Sequence, residues 1–137
     1  MWWFHALLSA IFAALTAVFA KIGVTNVNSN LATAIRSIII LIVAWGIVLL
    51  RGEAKSIGTI SRHNFLFLVI SGIATGLSWI FYFKALQIGK VSQVAAIGKL
   101  SVALTLILSV IFLNEALALK TAIGAALIIS GTLIMIL

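Results

Sequence analysis

Arg36 and Lys99 are cations set inside long apolar runs, and none of those runs contains an aspartate or a glutamate. An ionisable side chain at membrane depth is costly, and where one occurs it lines a solute or ion path or meets a partner. Counted from the starts of their runs, Arg36 lies roughly 9 Å and Lys99 roughly 12 Å along a helix axis. Arg36 is within reach of the nearer interface by extending its stem along the helix. Lys99 is deeper, and Ser92, Ala95, Ala96 and Ala103 share its helical face, leaving room for water or a small solute. Gln93 and backbone carbonyls are the neutral partners on offer, and an anionic ligand is the charged one. Trp79 presents either a stacking wall for a solute or, with Phe81, Tyr82 and Phe83, an interfacial aromatic anchor. Lys99, Trp79, Ser92, Gln93 and Arg36 therefore form the candidate solute-binding set. A cavity built from them is neutral to positive, unlike a cation path lined with carboxylates.

Catalytic chemistry has no comparable set. Cysteine is absent, which removes disulfides and thiolate nucleophiles. The two histidines, His5 and His63, are far apart, and the only acids are Glu53 and Glu115, so no metal-ligand cluster forms in the sequence. There is no Ser/His/Asp constellation and no glycine-rich phosphate loop. An enzyme is not expected, and neither a metal nor another cofactor is. The formal charge of +7 comes from basic residues scattered one or two at a time. No basic helix face results, so nucleic acid is not an expected partner.

The elements that must position these residues follow from composition. The chain has 137 residues, 64% of them hydrophobic and 8% charged, with a mean hydropathy of +1.35. A soluble domain carries about a quarter charged residues. Eleven charged side chains cannot solvate the surface of a globule this size, so lipid is the expected solvent. In lipid the backbone satisfies its own hydrogen bonds, as helices or as a closed barrel. The apolar runs are continuous over about twenty residues rather than alternating, which selects helices. Five spans are predicted, at about Trp2 to Ile22, Leu31 to Leu50, Phe65 to Phe83, Val91 to Leu113 and Leu117 to Leu137, forming one all-α transmembrane domain over residues 1–137. Trp2 to Leu8 lacks a basic lead-in and a small-residue cleavage site, and reads as the start of a retained helix. Proline is absent, so any break inside a span must come from glycine. Gly72 and Gly76 form a GxxxG pair, and Gly124 and Gly131 share a stripe on the last span; such residues let membrane helices pack or dimerise.

Five spans put the termini on opposite faces. Loops on the N-terminal side carry Arg51, Lys55, Arg62 and Lys120, against Lys21, Lys84 and Lys90 on the other. That bias favours a cytoplasmic N-terminus. Counting Arg36 and Lys99 with the second side reverses it. The balance fits either a single orientation or dual topology, in which two copies insert oppositely and pair antiparallel. Many transporters are inverted repeats with the solute site at the repeat interface, and five helices are the size of one repeat.

Particular motifs carry a family resemblance. Phe83 to Ser92 reads FxALxxGxVS, Phe112 to Glu115 reads FLxE, and Gly124 to Gly131 reads GAALIxxG. With ALLSAIFAALTAVFAKIG in the first span, ATAIRS around Arg36 and KLS at Lys99 to Ser101, the chain resembles the EamA-type repeat of the drug/metabolite transporter superfamily, in its single-repeat, five-helix branch. It departs from that repeat in having no proline in the fourth span, and Gly98 where related single-repeat members often place an acid. The resemblance implies two five-helix repeats in inverted topology, hence a homodimer, in the cell (plasma or inner) membrane. It also implies a carrier of metabolites or other small organic solutes by alternating access. Two other readings fit the composition: a membrane scaffold or assembly subunit that transports nothing, and a small multidrug-resistance-like efflux pump. The latter has four helices and a glutamate in the first, and this first span has no acid.

Overall fold

Without proline, and with apolar side chains on every side, each long run has no reason to leave the helical ladder until a turn-forming residue stops it. The computed structural model describes all 137 residues. The helices are α1 (Trp2–Gly23), α2 (Ser29–Leu50), α3 (Arg62–Ile88), α4 (Val91–Gly98), α5 (Leu100–Leu113) and α6 (Leu119–Ile136), with a 3-10 helix at Glu53–Thr59. There is no strand. Five segments are long and apolar enough to cross a membrane, α4 and α5 together forming the fourth. The protein is an all-α multi-pass membrane protein.

Side-chain chemistry explains the ends. Asn28 caps α2, its Oδ1 accepting from the backbone N–H of Asn30 at 2.9 Å and of Leu31 at 3.4 Å. Asn114 closes α5 in the left-handed region at φ 51°, a conformation asparagine tolerates better than most residues. The expected end of the third span at Phe83 is too early: the helix runs on to Ile88. One charge, Lys84, does not stop a helix whose stem can lie along it. Trp79 therefore stands well inside α3 rather than at its end. The second connection, expected to be a polar loop, contains the 3-10 helix, with an exposed Arg51–Glu53 pair at 3.9 Å beside it.

The fourth span is not one continuous helix. Lys99 joins α4 to α5 through a tightened turn: its N–H donates to Ala96 O at 2.9 Å, and Val102 N–H donates to Lys99 O at 3.0 Å. Both are three-residue steps rather than the four of an α-helix. The cause is local. Glycine holds the helix weakly at position 98, and the Ser101 hydroxyl takes Gly98 O at 2.7 Å, the acceptor that Val102 N–H would use in a regular helix.

The chain divides into two compact units, residues 20–87 and residues 1–19 with 88–137. In the first, the buried side chains are Ala20, Val24, Thr33, Phe83 and Leu86. In the second they are Ala17, Val94, Ala96 and Thr132, with α6 packed on α4 and α5. Most large apolar side chains face outward. Ile38, Ile39, Leu41, Ile42 and Val43, which together cover about half the circumference of α2, are each more than half exposed. So broad an apolar face belongs in lipid or against other helices.

Candidate functional site

The unit of residues 20–87 brings Arg36 and Trp79 together. The Arg36 guanidinium carbon stands 4.8 Å from the centroid of the Trp79 ring and 4.8 Å from that of Phe83. Trp79 and Phe83 are four residues apart on α3, so one helix face presents both rings. Phe83 is 1% exposed, which makes its ring a fixed wall. Arg36 is half-buried, drawn against α3 rather than extended freely toward the interface. An arginine at the centre of a membrane helix costs about 2.5–3.5 kcal/mol on insertion scales. One cation–π contact returns about 0.5–2 kcal/mol. Two rings thus offset much of the cost without giving the guanidinium an anion, since no span holds a carboxylate.

The same unit is stitched at the end of α3. Lys21 donates from Nζ to Leu86 O, one of the carbonyls a helix end leaves unpaired. Gln87 donates from Nε2 to Val24 O at 3.1 Å and also to Val27 O. These bonds hold the α1–α2 connection against α3, which fixes where the Phe83 wall stands. Gln87→Leu leaves both carbonyls without this donor, at a cost of about 1–3 kcal/mol. Thermal unfolding in detergent should show a midpoint several degrees below wild type; an unchanged midpoint would mean that water replaces the carboxamide.

The other unit holds Ser92, Gln93 and Lys99. Ser92 and Lys99 are exposed, Gln93 is half-buried, and Ala95 and Ala96 on the lysine's face are half-buried and buried. Ala96 is where the break is stabilised. Its carbonyl takes the Lys99 N–H and also the Thr132 hydroxyl of α6, at 3.2 Å. Thr132 is 4% exposed, so this bond lies in the packed seam of α4 and α6. Irregular backbone at membrane depth persists only where protein or a cavity satisfies it; Ser101 does so for Gly98 O, and Thr132 adds a second donor to Ala96 O. Sequence reasoning missed Thr132 and Gln87; the signal was a hydroxyl near the end of an apolar span and a lone amide at a helix end. A separate groove of about 420 Å³ between α5 and α6 is lined by Ala103, Leu106, Val110, Ala122, Ala126 and Ile129 among other apolar residues. It has no polar group to orient a solute.

No cluster of histidine, cysteine or acidic side chains suits a metal ion. Gly72, Gly76, Gly124 and Gly131 face open space, since a Cβ at any of them would meet nothing within 4 Å.

Known proteins are similar to this sequence along almost its whole length. The EamA-like transporter family matches residues 1–137. The chain is 48% identical over 134 residues to an uncharacterized transporter encoded in the cobO 3' region of Sinorhizobium sp, covering 98% of this chain and 95% of that one. It is 31% identical over 129 residues to an uncharacterized protein of Methanocaldococcus jannaschii, covering 94% and 91%. No solved structure matches. With five apolar spans and a family match from end to end, the chain belongs to the EamA-like transporter family.

Proposed function

We propose that the protein is a secondary carrier of small organic solutes in the plasma (inner) membrane, working as a homodimer of five-helix repeats by alternating access. The observation that carries this reading is the break at Lys99. Interrupted membrane helices are where carriers of inverted-repeat design place their solute sites, because unwound backbone and charged side chains meet there. Here the break sets an exposed lysine roughly 12 Å into the fourth span. Pairing is supported by the relatives, which this repeat covers over 95% and 91% of their own lengths, leaving little room for a second repeat in either chain. It is supported also by the open faces at Gly72, Gly76, Gly124 and Gly131, which suit close approach of another helix.

The test is uptake by proteoliposomes of a radiolabelled mixture of amino acids and small carboxylic acids, with crosslinking of the same preparation. Saturable uptake above protein-free vesicles, together with a crosslinked dimer, is the expected result. Uptake no greater than in protein-free vesicles across the mixture would favour a scaffold that assembles in the membrane and moves nothing.

A further inference from the structure

We propose that Arg36, with the rings of Trp79 and Phe83, forms an oxyanion-binding cradle, and that the transported solute carries a carboxylate or phosphate beside an apolar or aromatic portion. This deepens the carrier reading and rests on it. The guanidinium has five N–H donors in a planar fork, suited to two-pronged pairing with an oxyanion. Its faces and edges have different uses. Ring contacts at 4.8 Å occupy the cation through its charge and leave the hydrogen-bonding edges to a ligand. The protein supplies no anion in their place. Glu53 and Glu115 both lie outside the spans, and Glu53 pairs with Arg51.

The surroundings match such a ligand. Tyr82 adjoins Phe83 on α3, their ring centroids 6.1 Å apart, and adds a phenolic O–H beside that wall. Trp79 and Tyr82 are half-buried, so their rings offer apolar surface next to the charge. A phospholipid headgroup carries the same oxyanion chemistry as a soluble solute, and the two sources are separated by lipid composition.

The experiment reads binding without flux. Replacing Trp2, Trp3 and Trp45 by phenylalanine leaves Trp79 as the single indole. In phosphatidylcholine nanodiscs, this protein is titrated with benzoate, its neutral analogue benzamide, and inorganic phosphate, following Trp79 emission. Benzoate should act saturably at concentrations at least about tenfold lower than benzamide. Arg36→Gln should bring benzoate to the benzamide level, and Arg36→Lys should keep part of the preference. Repeating the titration in phospholipid-free dodecylmaltoside micelles, without and with added phosphatidylglycerol, assigns the source: loss of the benzoate response on adding the lipid places a headgroup phosphate in the cradle, and no competition leaves it to the soluble oxyanion. Equal responses to benzoate and benzamide would overturn the proposal, as would a preference that survives Arg36→Gln in protein that still elutes as wild type. Binding that depends on Arg36 in a protein with no uptake would keep the cradle and remove the carrier. Uptake without charge preference would do the reverse.

Discussion

Lys99→Ala should lower solute uptake at least about tenfold while the protein inserts and self-associates as before. The lysine is exposed, so removing its amine leaves no cavity and no unpaired buried group. Its structural part at the break is played by backbone atoms, the N–H to Ala96 O and the carbonyl to Val102 N–H, which alanine keeps. What alanine lacks is the charge. A scaffold would be indifferent to that loss, whereas a carrier whose solute path passes the break would not. Lys99→Arg, keeping the charge, should retain more uptake than Lys99→Ala. Gly98→Ala separates charge from backbone: its Cβ would meet nothing within 4 Å, so it introduces no clash. It should stabilise the fold by about 0.4–1 kcal/mol, yet slow uptake if the carrier flexes at that turn. Uptake by Lys99→Ala equal to wild type, in vesicles of equal protein content, would remove the fourth-span break from the mechanism.

The contrast between those two substitutions shows what sequence alone conveys here. Five spans are legible because hydropathy is a property of residues, not of their partners, and runs of about twenty apolar residues admit one outcome in lipid. The break in the fourth span is only half legible. Absence of proline points to glycine as its cause, but the choice of Gly98 depends on Ser101 taking Gly98 O and on Thr132 reaching Ala96 O from another helix. The second of those bonds joins residues 36 apart, and no local pattern reports it. Trp79 shows the same limit. Its neighbours Phe81, Tyr82 and Phe83 suggest an interfacial belt, yet α3 continues to Ile88, and the indole finds Arg36 instead. Arg36 was identifiable as a candidate from its cost in an apolar run; which rings would receive it was not, because that depends on how α2 meets α3.

A single cysteine placed at Thr59 should react with a membrane-impermeant maleimide from both faces, about half of the thiols from each side, in accord with the near-balanced charge rule. Thr59 suits the purpose because the native chain has no cysteine and the residue is exposed at the end of the 3-10 helix. Its hydroxyl bond to Ser56 O is local, so the substitution disturbs no packing. The expectation comes from the near-balance of Arg51, Lys55, Arg62 and Lys120 against Lys21, Lys84 and Lys90. A balance of four to three is tipped by a few side chains. Arg51→Gln with Lys55→Gln and Arg62→Gln leaves one basic residue against three, and should drive most copies into one orientation, with labelling collapsing to one face. Uptake should fall with it, since pairs in inverted topology need both orientations, and mixing with a variant biased the opposite way (Lys84→Gln with Lys90→Gln) should restore it. Labelling of the Thr59→Cys protein from one face alone would exclude the antiparallel dimer, and undiminished uptake by the one-orientation variant would show that copies pair in parallel or act singly.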